Sequence, residues 1–140
     1  MKTVTAAIIC DAGRVLLTRR APGEKLAGLW EFPGGKVEPE ETLEQCLTRE
    51  LLEELGLEVT VGGVVAESVY NYDHGAIRLV ALEATILSGH VRLTVHDRAE
   101  WVLPEAFVQF ALAPADVPIA TVVQRLLIER TEKNSSLSTR

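Results

Sequence analysis

From its first residues the chain alternates between apolar, β-branched runs and short polar breaks. Val4–Cys10 is such a run, Asp11-Ala12-Gly13 closes it as a turn, and Arg14–Thr18 resumes it, which predicts a β-hairpin. Residues 20–36 break the pattern. Pro22, Gly23, Gly28, Pro33, Gly34 and Gly35 make this loop too rich in glycine and proline to be regular, and a loop of that length in a compact domain is usually functional. The apolar period then changes. Leu43, Leu47, Leu51 and Leu55 recur every four residues as the stripe of a helix; Thr42 and Gln45 fit a capping box, and Gly56 stands where the helix should end. Val59–Tyr70 and Ala76–Leu87 read as long strands with Ser88-Gly89 turning after the second, and His90–Val95 and Glu100–Leu103 as shorter strands. Pro104–Phe107 opens a helical turn, and Pro118–Arg130 predicts a second amphipathic helix with Val122, Val123, Leu126 and Leu127 inward. Strands and helices mix without βαβ regularity, so the expected class is α+β, a mixed sheet sandwiched between helices (α/β/α). One domain is expected over residues 1–130, followed by a flexible polar tail over 131–140.

Composition narrows the function. The chain has 140 residues, 47% of them hydrophobic and 24% charged, enough apolar material for a core and too much for a disordered segment. Cys10 and Cys46 both lie in apolar stretches and read as buried thiols in a reducing compartment. The amino-terminal apolar run meets Asp11 too early for a secretory leader, and no stretch approaches the ~18 apolar residues of a membrane span. A cytoplasmic location is expected. A net charge of −6 argues against coating nucleic acid or an anionic membrane by bulk charge. Its distribution is more telling: residues 38–54 hold seven glutamates and one arginine, and so carry the whole net charge.

Within that window the spacing is chemical. On a helix Glu50, Glu53 and Glu54 share one face of a single turn, where like charges repel. A hard divalent cation turns this liability into a site, because Mg²⁺ takes oxygen ligands from a few carboxylates and from substrate phosphates. Arg49 stands four residues before Glu53 and can orient it, and Gly34-Gly35 lets backbone carbonyls come close to a metal. A solvated acidic face accounts for Glu38, Glu40 and Glu44 but not for the fixed spacing of the arginine, glutamates and glycines.

Gly35, Glu41, Arg49-Glu50-Leu51, Glu53-Glu54 and Gly56-Leu57 together resemble the Nudix box, G-x5-E-x7-R-E-U-x-E-E-x-G-U with U aliphatic, at all nine specified positions. The resemblance implies hydrolysis of a nucleoside diphosphate linked to another group. It implies Arg49, Glu50, Glu53 and Glu54 as the catalytic set, with Gly34 (through its carbonyl), Glu50, Glu53 and Glu54 holding Mg²⁺, or Mn²⁺ as the alternative. The metal would neutralise phosphate charge and lower the pKa of an attacking water. Glu53 or Glu54 is the candidate general base. Gly35, Glu41 and Gly56 are structural parts of the motif, Glu41 bracing loop and helix. Members of the MutT branch carry a further glutamate six residues before the tryptophan found here as Trp101; this chain has Val95 there. His96, Asp97 and Glu100 are the nearby substitutes, none at the matching spacing.

Leu17-Thr18-Arg19-Arg20 and Leu29 to Glu38 also resemble the MutT branch, which converts nucleoside triphosphates to monophosphate and pyrophosphate. Leu112 to Pro118 and Ala27 to Phe32 are similar to the bacterial CTP pyrophosphohydrolases within it, and count against ADP-ribose as substrate. This implies a nucleoside triphosphate substrate bound through Arg20, Glu31, Phe32, Lys36 and Asp116, and a role in clearing modified nucleotides from the pool. Asp116 stands fifteen residues after Trp101, where 8-oxo-dGTP-specific relatives place an asparagine. An ionised aspartate only accepts hydrogen bonds, which suits the amino group of cytosine, so cytosine or modified-cytosine nucleotides are expected ahead of 8-oxo-dGTP. Asp116 can equally be the N-cap of the helix that follows. Trp30 and Phe32 either stack on a base or anchor the loop in the core, and Tyr70 and Tyr72 are similarly open. His74 and His90 lack ligand spacing. A nucleotide-binding module without catalysis is the other class, but such modules usually lose box glutamates that this chain keeps. No nucleic-acid or membrane partner is expected, and a monomer is expected ahead of a dimer.

Overall fold

The computed structural model describes residues 1–138. β1 (Lys2–Asp11) and β2 (Arg14–Arg20) form the first hairpin. They pair only beside their turn, at Cys10–Val15 and Asp11–Arg14, and then part. The gap between them is filled by the glycine-rich segment. Its residues Trp30–Glu31 form a short strand, β3, against Thr18 and Arg19 of β2. The chain then crosses to β1, where Ala7 N–H donates to Pro33 O (2.6 Å), Thr5 N–H to Gly35 O (2.8 Å) and Val37 N–H to Thr3 O (3.0 Å). The segment expected to be wholly irregular is therefore pinned between two strands.

β4 (Glu58–Tyr72) and β5 (Gly75–Ser88) make a long antiparallel hairpin. β5 runs parallel to β1 from Lys2–Ile77 to Ile9–Ala84, and β6 (His96–Val102) takes the other edge of β2, completing a six-stranded mixed sheet. α1 (Leu43–Leu55) starts on the capping box read from the sequence: Thr42 Oγ1 accepts from Gln45 N–H (3.0 Å) and Gln45 Oε1 from Thr42 N–H (2.9 Å). It stops at Gly56, whose φ of 69° is left-handed.

Alternation along β1 assigns the two layers. Ala7 and Ile9 face Leu47, Leu51 and Leu55 of α1. Ala6 and Ile8 face Ile119 and Val123 of α2 (Asp116–Ser138), beside Phe107 of the 3₁₀ turn Pro104–Gln109. Both faces of the sheet are thus covered, the α/β/α arrangement expected.

Four local expectations change. His90–Val95 is not a strand: its donors satisfy the carbonyl end of α1, Arg92 N–H reaching Leu55 O (2.9 Å) and Thr94 Oγ1 reaching Glu54 O (2.9 Å). Cys10 is exposed, because β1 ends beside the hairpin turn, whereas Cys46 is buried as expected. In α2 the buried positions are Ile119, Ala120 and Val123, with Val122, Leu126 and Leu127 half-buried, one step around the helix from the expected stripe. α2 also continues past Arg130 to Ser138, since no glycine or proline interrupts it. Residues 139 and 140 of the expected tail lie outside the described residues. Among the described residues no helix is long and apolar enough to cross a membrane.

Candidate active site

α1 carries the acidic turn, and one arginine organises most of it. The Arg49 guanidinium donates to both oxygens of Glu41 (2.6 and 2.9 Å), to Glu50 Oε1 (2.8 Å), to Glu53 Oε2 (3.2 Å) and to the Lys36 carbonyl (3.2 Å). Glu41 Oε1 also accepts from Glu38 N–H (3.0 Å). Arg49, with help from that N–H, holds the Glu41 carboxyl down at about 2. Glu41 is therefore the brace expected: it ties the segment before α1 to the middle of the helix.

The two glycines do more than the sequence argument asked of them. A Cβ on Gly34 would lie 2.0 Å from the Thr5 carbonyl oxygen, and one on Gly35 would lie 2.2 Å from Glu50 Cδ. Gly34 thus lets the segment lie against β1, and Gly35 lets the Glu50 carboxylate lie against the segment. The carbonyls of Pro33 and Gly35 are both spent on β1. Among the described residues the Gly34 carbonyl between them accepts no backbone hydrogen bond.

Glu54 differs from its neighbours. Its Oε2 is buried and has no hydrogen-bond partner among the described residues. Burial, then the charges of Glu50 and Glu31, push its carboxyl up to about 8. No three histidine, cysteine, aspartate or glutamate side chains among the described residues already stand together as a metal-binding group, because Arg49 draws Glu50 and Glu53 to itself. The donors nevertheless fit a hard cation: a partnerless buried carboxylate oxygen, a second carboxylate beside it and a free backbone carbonyl are all oxygen ligands.

Next to this turn a cleft of about 210 Å³ opens, lined among others by Arg20, Glu31, Gly34, Gly35, Lys36 and Asp116. A larger groove of about 600 Å³ lies between the first hairpin turn and α2, by Cys10, Leu103 and Leu127, but it holds no residue of the glycine segment against which Glu50 lies. Chemistry rather than size places the site in the smaller cleft. Arg20 Nε donates to Glu31 Oε1 (3.2 Å), and His96 Nε2 lies 2.9 Å from Glu31 Oε2. Asp116 Oδ2 accepts from Phe32 N–H (3.0 Å), so its carboxyl serves the glycine segment 84 positions away rather than capping its own helix. Burial and then the Glu31 charge push the Asp116 carboxyl well above the ordinary carboxylate range. The Phe32 N–H and the Arg20 charge pull the other way.

Phe32 and Trp30 are both buried, edge-on to Phe107 and Phe110 respectively, and Phe32 also reaches the cleft wall. The three substitutes considered for the missing loop glutamate are all engaged elsewhere: His96 under Glu31, Asp97 with Arg19 and Glu100 with Arg98. Lys2 and Lys25, which sequence reasoning passed over, add two more cations to the cleft lining beside Lys36. Tyr72 belongs to the cleft as well; its hydroxyl accepts from Ala115 N–H (2.9 Å), while Ser68 Oγ donates to Ala115 O (2.6 Å), and together they fix the start of α2. Only three-dimensional pairing reveals these, since none carries motif spacing.

A profile of the NUDIX domain matches residues 1–126. The CTP pyrophosphohydrolase of Escherichia coli (strain K12) is 42% identical over 130 residues, covering 93% of this chain and 96% of that protein. A putative 8-oxo-dGTP diphosphatase 2 of Mycobacterium tuberculosis is 38% identical over 116 residues, 81% of each chain. The solution structure of the Escherichia coli ORF135 protein superposes with a TM-score of 0.79 at 42% identity, covering 90% of both chains.

Proposed function

Because this chain belongs to the Nudix family and is a Nudix hydrolase, we propose that it converts nucleoside triphosphates to monophosphate and pyrophosphate, with Mg²⁺, in the cleft lined by Gly34 and Gly35, beside which Glu50 of α1 lies. The observation that carries the reading is the partnerless buried oxygen of Glu54 beside a cleft rimmed by Lys2, Arg20, Lys25 and Lys36. Those cations suit a polyanionic phosphate chain. Nudix hydrolases generally use divalent metal ions, and a bound cation would offset phosphate charge and acidify an attacking water. The Gly34 carbonyl, Glu50 and one of Glu53 and Glu54 are the ligands we assign. The remaining glutamate takes the proton of the water, and Glu54 suits that task because its oxygen is free of Arg49, which engages Glu53. Arg49 keeps Glu50 and Glu53 from scattering.

Cytosine or modified-cytosine nucleotides are the proposed substrates, with 8-oxo-dGTP second. The name of the Escherichia coli relative supports this order. So does the pair of carboxyl groups on the cleft wall, Glu31 and Asp116, whose oxygens can accept from the amino group of cytosine. The enzyme acts as a monomer on the cytoplasmic nucleotide pool, and its two free thiols suit a reducing compartment. The test is kcat/KM with Mg²⁺ for CTP, dCTP, 5-methyl-dCTP, dGTP and 8-oxo-dGTP, with products identified. Monophosphate and pyrophosphate with cytosine favoured is the expected result, and Asp116→Asn, which adds a donor to the acceptor already there, should shift the preference. Release of inorganic phosphate, or no turnover of any of the five, would overturn the reading.

A further inference from the structure

His96 is fully buried at its side chain, is absent from the cleft lining, and makes one hydrogen bond, to Glu31. Its Nδ1 is buried with no partner among the described residues. A carboxylate oxygen can only accept, so the imidazole proton sits on Nε2. A buried polar ring satisfied on one side alone costs stability that an apolar ring of similar size would not. Something other than packing therefore accounts for a histidine here.

The β2–β6 register explains how it reaches Glu31. From Val15–Val102 to Arg19–Arg98 the pairing is regular, but the next pair is Arg20–His96, so Asp97 is an extra residue bulged out of β6. Arg19 clamps the bulge with two bonds to the Asp97 carboxylate, each 2.8 Å. Without the bulge His96 would shift by one position and its side chain would move to the opposite face. With it, Arg20 and His96 become cross-strand partners and close on the two oxygens of the same carboxylate. Glu31 itself is set by the pairing of β3 with Thr18.

We propose that His96 is a positioning residue: with Arg20 it holds the Glu31 carboxylate in one orientation for the base of the nucleotide. The role in substrate positioning rests on the proposed function; the bond to Glu31 does not. The experiment is a double-mutant cycle on kcat/KM with the best nucleotide, using His96→Phe, Glu31→Gln and the pair, with thermal unfolding and the imidazole ¹⁵N spectrum recorded for each. His96→Phe should fold with an unchanged or raised Tm and lose about tenfold in kcat/KM, chiefly through KM. In the Glu31→Gln background the same change should cost less than about twofold. His96→Gln, which keeps a donor, should recover most of the loss. The Nε2 resonance should move on Glu31→Gln. Additive losses, or no recovery by glutamine, would overturn the proposal and leave His96 a packing residue. If wild type turned over none of the nucleotides, the proposed function would fall and substrate positioning with it, while the imidazole shift would still report whether His96 holds Glu31.

Discussion

Two groups of carboxylates stand side by side in this molecule and are treated in opposite ways. Glu41, Glu50 and Glu53 share one guanidinium, whose planar fork spans them all. Glu31, Glu54 and Asp116 are drawn into the interior instead, where Arg20 and His96 both bond Glu31, and Asp116 takes the Phe32 N–H. The first group is charge-compensated and gives α1 and its preceding segment a fixed geometry. In the second, burial pushes the carboxyls of Glu54 and Asp116 up, and Glu54 keeps a free oxygen. Stability and reactivity have been divided between neighbours on the same helical turn: Glu53 is held in the braced group and Glu54 is left in the other.

The sharpest way to break this contrast is to neutralise one member of each group. Glu54→Gln should reduce kcat by about 10³-fold with substrate still bound, whereas Glu53→Gln should cost less, on the order of tenfold to a hundredfold. The reverse order in steady-state kinetics would show that the braced glutamate, not the free one, performs the chemistry. The glycines sharpen the same line. Gly35→Ala meets the movable side chain of Glu50, so the protein should fold while kcat/KM drops by about a hundredfold. Gly34→Ala meets the Thr5 backbone, so a folded yield far below wild type is expected, checked by circular dichroism. Arg49→Ala should lower Tm by roughly 4–8 °C and activity with it, since it frees three carboxylates at once; Glu54→Gln should not lower Tm in the absence of metal.

How much of this was legible beforehand follows from how local each feature is. Capping at Thr42 and Gly56, the leucine stripe and the turn of glutamates depend on spacings of three to five residues, and the helix came out as read. The spacing placed Arg49 to orient Glu53, but not its bonds to Glu41, eight residues back, which only the fold shows. What failed depends on distant partners. His90–Val95 has strand-like composition, yet α1 needs its donors at Leu55 and Glu54 more than the sheet needs another edge. Asp116 was open between capping a helix and reading a base. Contact with Phe32 N–H fixes where its carboxyl points, burial and the Glu31 charge raise it, and neither is visible from a neighbouring residue. The Asp97 bulge, which turns His96 toward Glu31, is a matter of register between β2 and β6 and leaves no mark in composition.

The smallest expected effect is a pH dependence of stability in the absence of metal. An ordinary glutamate titrates near 4.5, and Glu54 near 8 in the folded chain. A carboxyl raised on folding contributes stability that is complete below about 4.5 and is lost as pH rises through about 8. Thermal unfolding should therefore show Tm falling by a few degrees between pH 5 and pH 8 and levelling above. Glu54→Gln should flatten that slope, leaving the same-signed contribution of Asp116.

The most direct test of the division between the two groups is a ¹³C NMR titration of the glutamate carboxyls in metal-free protein, with Glu54→Gln and Glu41→Gln used for assignment. The account predicts Glu54 titrating near 8 and Glu41 near 2, with Glu54 driven to its ionised form at neutral pH when Mg²⁺ is added. Glu54 and Glu41 titrating together near 4.5, with no response of Glu54 to Mg²⁺, would contradict it.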